Sequence, residues 1–164
     1  MIVVDGGSGD GSQLLLRGSV DTFIASGRGR ATQMNAGATV ARGEVLLFLH
    51  IDTSMPSDIN PVLDRIAQCT NWGFFKLRLK PEKLAFKLIS TLITCRSRVS
   101  SVATGDQALV VNRSLFVDCG GFAPIALMED VELSKRLRRF ARPEVFDEYV
   151  ATSARRWQRY GVFR

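Results

Sequence analysis

The chain opens on a short apolar run, MIVVD over 1–5, whose β-branched residues and terminal acid predict a buried strand. The glycine-rich stretch GGSGDGS that follows predicts a loop. Over 29–42, Ala31, Met34, Ala38 and Ala41 recur at helical spacing, and Gly43 stands where a helix stop belongs. EVLLFLHID over 44–52 is the strongest buried-strand pattern in the chain. Asn60 and Pro61 read as the N-cap and first position of a helix through VLDRIAQC. The period then changes to two. In NWGFFKLRL, Phe75, Leu77 and Leu79 alternate with Phe74, Lys76 and Arg78, which predicts a strand with one wetter face. Residues 84–98 predict a mixed apolar and basic helix, and 106–112 a further strand. Residues 130–140 predict an amphipathic helix with Leu133, Leu137 and Phe140 inward and Lys135, Arg138 and Arg139 outward. Strand and helix alternate in the first part, so the expected architecture is α/β, with a largely parallel sheet covered on both faces.

Composition narrows the function classes. A length of 164 residues fits one domain with a real core, and 46% hydrophobic with 23% charged residues is ordinary globular usage. No apolar run reaches the ~18–20 residues of a membrane-spanning helix, and no signal peptide is read at the N-terminus. Cys69, Cys95 and Cys119 are far apart and form no CxxC pair, which argues against a zinc site or disulfide framework and suits a reducing cytoplasm. The single histidine, His50, excludes mechanisms that need two. A net charge of +6 fits nucleic acid, anionic lipid or a phosphorylated small molecule. No RNP-like, zinc-finger or helix-turn-helix signature appears, so a nucleic-acid groove ranks low.

Four groups of residues carry candidate chemistry. Asp5 ends the first strand beside Gly6 and Gly7, at the edge where open α/β sheets bind ligands. The spacing is neither a dinucleotide fingerprint nor a P-loop, since Ser12 stands where a third glycine belongs and no Gly-Lys-Ser/Thr follows. A carboxylate there suits a base or ribose better than phosphate; the bland alternative is a turn built from Gly and Asp. Asp52 ends the second apolar strand with His50 two residues earlier, on one face if both are in a strand, and such a pair can hold a hard divalent cation. The bland alternative makes Asp52 a turn residue and His50 a satisfied core residue. Glu129 and Asp130 open a helix, where the dipole alone would favour acids; the functional reading makes one of them a general base. Arg28 and Arg30 sit in GRGR at a predicted helix start, where a diphosphate could bind. Arg155, Arg156 and Arg159 lie with Trp157 and Tyr160 near the C-terminus, and a solvated face is the default for most of these arginines.

Each motif is weak alone, but their order is specific. VVDGGSGDGS, GRGRATQMNAGATVARGEVLLFLHIDT, TGDQALVV and GGFAPIALMEDVELSKRLRR in succession resemble glycosyltransferase family 2, closest to a bacterial branch with a His-x-Asp metal motif. The resemblance covers roughly residues 2 to 161. It implies a GT-A fold: a Rossmann-like nucleotide-diphospho-sugar transferase sandwich with a mostly parallel central sheet. It implies nucleoside contact for Asp5, a Mg²⁺ or Mn²⁺ site at Asp52 with His50, and a general base at Asp130 with Glu129 beside it. It further implies an acceptor-side loop at Gly105, Asp106 and Gln107, and an Arg-Trp element at Arg156 and Trp157. The expected reaction transfers a sugar from a nucleotide-sugar donor to an acceptor hydroxyl with inversion.

Family members begin one strand earlier. The expectation is therefore a single GT-A domain over 1–164 that lacks its first strand, with a homo-oligomer as one way to supply it. The competing reading is a catalytically silent domain that keeps the fold and a partner surface. The helix at 84–98 has an apolar body and a basic end; core packing is its default use, and contact with an anionic membrane the alternative, which would suit a lipid-linked acceptor. The expected location is cytoplasmic, extending to the inner face of the membrane.

Overall fold

The structure is a computed structural model, and it describes residues 1–16 and 18–155. The strands are β1 (Ile2–Asp5), β2 (Thr22–Ala25), β3 (Val45–Phe48), β4 (Thr53–Ser54), β5 (Trp72–Lys80), β6 (Leu109–Asn112) and β7 (Glu144–Ser153). The helices are α1 (Ser12–Leu16), α2 (Arg30–Val40), α3 (Asn60–Ala67), α4 (Leu84–Ser100), α5 (Arg113–Asp118) and α6 (Glu129–Leu137). A 3-10 turn at Gly105–Gln107 leads into β6.

β1 and β2 form a parallel pair, and the other five strands form one sheet in the order β3-β6-β5-β7-β4. Within that sheet only β5 and β7 run parallel; β3–β6, β5–β6 and β4–β7 are antiparallel. The sheet is therefore mixed rather than mostly parallel. Strand–helix alternation fixes direction only where consecutive strands are neighbours, as β1 and β2 are. From β3 onward, spatial neighbours are distant in sequence, and direction is free to reverse.

The alternation in β5 sorts the core into two layers. Phe75, Leu77 and Leu79 join Val62, Ile66, Phe86, Val110 and Phe146 under α3 and α4. Trp72 and Phe74 join Leu109, Val111, Phe116, Leu133 and Leu137 under α2, α5 and α6. Both faces are covered, as the pattern predicts. Gly73 sits between them because β7 passes too close for a side chain: a Cβ there would lie 2.5 Å from the Glu144 carbonyl oxygen.

Several boundaries differ from expectation. The strand expected over 44–52 stops at Phe48, because its partner β6 begins only at Leu109, the residue opposite Phe48. In α6, Leu133 and Leu137 are buried as predicted, but Phe140 is 62% exposed, since the helix ends at Leu137 and the period no longer applies. β7, the longest strand, has no clean alternation. Phe75 pairs with Phe146 and Lys76 with Tyr149, so Asp147 and Glu148 form a bulge that breaks the period of two.

Candidate functional site

The β1 loop and the start of α2 form an open cleft lined by Asp5, Gly6, Gly7, Ser8, Arg28 and Gln33 among others. Four of the nucleotide-site candidates thus come together. Asp5, however, is occupied by its own loop. Oδ2 accepts N–H bonds from Gly7 and Ser8, both 2.9 Å, and from Gln13 Nε2 at 2.8 Å, while Oδ1 accepts the Ser8 hydroxyl. The Ser8 hydroxyl and the accompanying backbone donors favour the ionised form and hold the Asp5 pKa down at about 2. One lone-pair direction on Oδ1 is left for a ligand.

Arg30, two residues from Arg28, turns the other way. Its Nη2 donates to Glu129 Oε2 at 3.1 Å, and its Nε lies 2.8 Å from Oε1 without the alignment of a hydrogen bond. Glu129 is fully buried. A buried carboxylate needs such a partner. Arg30 thus pairs with Glu129 while its own side chain stays half-exposed, and the buried Glu129 ties the start of α2 to the start of α6. Successive Cα atoms are at most ~3.8 Å apart, so the cleft and this ion pair adjoin.

Beside them lies the second constellation. His50 and Asp52 fall in the turn after β3, where Thr53 N–H donates to the His50 carbonyl at 3.0 Å, so the shared strand face expected for them does not exist. They converge nonetheless. One ligand atom each from His50, Asp52 and Asp106 lies within 4.8 Å of the others. His50 Nδ1 is 3.7 Å from Asp106 Oδ1. Interaction with that carboxylate raises the imidazole pKa against the opposing effect of burial. His50 Nε2 is buried and has no hydrogen-bond partner among the described residues. One imidazole nitrogen and two carboxylates suit a hard or borderline divalent cation such as Mg²⁺ or Mn²⁺, and the orphaned nitrogen shows the group is not satisfied from within. The residues fit the metal that the sequence implied.

Asp106 was expected on the acceptor side; its membership of this cluster follows from pairing. β6 runs antiparallel to β3, so the segment just before β6 faces the segment just after β3. An aspartate flanking a strand was the available signal, but it points here only once the antiparallel partner is known.

The 3-10 turn ties the cluster to Asp130. Gly105 N–H donates to Asp130 Oδ2, and Val131 N–H to Oδ1 at 2.7 Å. Asp130 is 9% exposed, so it sits at the lip of the site. Gly105 presses flat on the imidazole: a Cβ would lie 2.2 Å from His50 Cε1 and 2.4 Å from Nε2. Gln107, by contrast, is fully buried. Its Oε1 accepts from Ser97 Oγ at 2.8 Å and from Thr104 N–H at 3.2 Å, and its Nε2 lies 3.4 Å from the Phe75 carbonyl. It holds the loop's shape and does not line an acceptor. Arg156 and Trp157 lie outside the described residues.

No family model and no curated protein matches the chain. Solved structures do. S. aureus TarS residues 1–349 superimpose with a TM-score of 0.70 at 15% identity, over 93% of this chain and 50% of that one. The mannosyltransferase PcManGT from Pyrobaculum calidifontis, solved with GDP-Man and Mn²⁺, gives 0.66 at 15%, over 92% and 46%. GalNAc-T7 with UDP, GalNAc and Mn²⁺ gives 0.62 at 13%, over 93% and 37%. The fold is the GT-A fold of glycosyltransferases. The chain spans about half or less of the length of these structures.

Proposed function

We propose that this chain is a metal-assisted, inverting glycosyltransferase domain of the family 2 type, acting on a nucleotide-sugar donor and an acceptor hydroxyl. The observation that carries the reading is the convergence of His50, Asp52 and Asp106 beside Asp130, on a GT-A fold. The GDP-Man and Mn²⁺ bound in the PcManGT structure support it.

Asp130 acts as the general base. It takes the proton of the acceptor hydroxyl as that oxygen bonds to the anomeric carbon, while the bond from that carbon to the diphosphate oxygen breaks and the diphosphate leaves with the electron pair. A single displacement from the opposite face inverts the centre. Gly105 N–H and the α6 N-terminus hold the Asp130 carboxylate in place. Arg30 and Glu129 lock the start of α2 to the start of α6, which keeps the cleft and the base in register. Arg28 faces the cleft and gives the diphosphate a cationic partner. His50, Asp52 and Asp106 would hold Mg²⁺ or Mn²⁺, which when bound neutralises charge developing on the leaving diphosphate.

Calorimetric titration of UDP and GDP in the presence of Mn²⁺ tests the reading. Saturable binding of one nucleotide that disappears in Asp52→Ala is the expected result. Failure of both nucleotides to bind with metal present would overturn it. A second reading, a nucleotide-binding domain without turnover, draws on the saturation of Asp5 by its own loop. Binding without donor consumption in the presence of acceptors would select it.

A further inference from the structure

Helix α4 packs Phe86, Ile89 and Ile93 on the core but turns its leucines outward. Its buried side is Phe86, Ser90, Thr94 and Ser97. The reason lies in β5, whose second half extends past its pairing with β6. Leu77 N–H donates to Thr94 Oγ1 at 3.3 Å and Leu79 N–H to Ser90 Oγ at 3.1 Å. Two strand residues advance ~6.6 Å and four helical residues ~6 Å, so hydroxyls four apart match alternate strand N–H groups. The helix closes a strand edge with hydroxyls, and its leucines are left to face outward.

That outward side is continuous. Leu84, Leu88, Leu92 and Val99 are 86, 61, 59 and 90% exposed, and Cys95 between them is exposed as well. At about 100° per residue these five fall within an arc of about 80°. Lys87 and Arg98 flank the stripe on one side and Arg96 on the other, with Lys83 at the N-terminal end. No acid occurs from 83 to 100. Glu82 lies 3.7 Å from Lys87, and Asp147 lies 4.0 Å from Arg98, at the edges of the surface.

We propose that α4 is a docking helix for an anionic lipid surface, with its leucine stripe in the bilayer interface and its flanking bases against the headgroups. No helix among the described residues is long and apolar enough to cross a membrane, so α4 lies on the surface. Charge selects lipid over a second copy of the chain. Two α4 faces packed about a twofold axis would set the bases Lys83, Lys87, Arg96 and Arg98 of one copy against those of the other, with no acid on either helix to pair them. The inference stands on α4 alone and does not depend on the sugar-transfer reading. It does have a bearing on it, since the C-terminal end of α4 leads within five residues to Gly105 and the His50 cluster.

Co-sedimentation of the whole chain tests it, with vesicles of phosphatidylcholine alone or with about a third phosphatidylglycerol. The wild type is expected to partition onto the anionic vesicles, more weakly as salt rises. The double substitution Leu88→Glu/Leu92→Glu should reduce partitioning by about tenfold or more, with the circular dichroism and melting temperature of wild type, since both side chains are exposed. Lys83→Gln/Lys87→Gln should reduce it by a smaller factor and flatten the salt dependence. Absence of binding to the anionic vesicles, or equal binding by wild type and the glutamate variant, overturns the proposal. So does a wild-type dimer in sedimentation velocity that the glutamate variant abolishes.

Discussion

Asp5 ends β1 and Asp52 lies in the turn after β3, so both stand just beyond a short apolar run. Their surroundings are opposite. Asp5 receives four hydrogen bonds from Gly7, Ser8 and Gln13, all within eight residues of it. The Asp52 carboxylate accepts none among the described residues, and its neighbours are another carboxylate and an imidazole with an orphaned nitrogen. A carboxylate that its own loop satisfies builds structure. One that stands exposed beside a second carboxylate and an imidazole, with no donor from its own loop, keeps its oxygens open to a cation. The difference arises from which backbone donors lie nearby: glycines and a serine after Asp5 fold back as a nest, whereas the turn after β3 aims its donor at the His50 carbonyl.

The largest test of this contrast is metal binding. Asp52→Ala should weaken Mn²⁺ affinity by about 100-fold or more, at or beyond the top of the ~10–100-fold range typical of outer-shell losses, while Asp5→Ala leaves it within about threefold. Isothermal titration of both variants decides the matter. Equal losses would erase the distinction between the two aspartates.

Arg30→Ala probes the joint between the two regions. It strands the fully buried Glu129 charge. Removing one partner of a buried pair typically costs ~3–5 kcal/mol; Arg30 is half-exposed, so about 2 kcal/mol in urea unfolding is the expected loss here. A stability equal to wild type would mean that the pair does not hold the starts of α2 and α6 together.

Gly105→Ala should act on the metal cluster without removing a ligand. The new methyl would overlap His50 and push the imidazole off Asp106, weakening Mn²⁺ binding by about tenfold. Unchanged affinity would show that His50 moves freely and is no fixed member of the site.

How much of this the sequence disclosed depended on whether the determining contacts were local. β5 and α6 were legible because each buries one face against a layer that respects its own period, as Leu77 and Leu79 or Leu133 and Leu137 do. β7 was not, because a bulge at Asp147 and Glu148 cancels its alternation. In α4 the apolar pattern was read correctly as helical, but the default of core packing pointed the leucines the wrong way. The hydroxyls of Ser90 and Thr94 match strand N–H groups that no sequence window reveals. His50, Asp52 and Asp130 were singled out from the order of the motifs, and the fold brings them near one another. Asp106 needed the antiparallel pairing of β3 with β6, a contact across some sixty residues.

The smallest effect is the pH signature of Asp5, and it bears on the loop alone. Its native pKa of about 2 lies below the unfolded value of 3.8, so the unfolded chain binds this proton first as acid is added. The stabilisation it provides is complete above pH ~4 and disappears as pH falls toward about 2, because the protonated carboxyl no longer attracts Gly7 N–H, Ser8 N–H and the Gln13 amide. Asp5→Asn mimics that state at every pH. The melting temperature of wild type should therefore exceed that of Asp5→Asn at about pH 6, and the two should approach each other near pH 2.5. The side chain is only partly covered, so the gap is small and only its closing with acid is diagnostic. A gap that stayed constant across that range would place the loop's stability in its backbone turns, and would return the Asp5 carboxylate to the ligand.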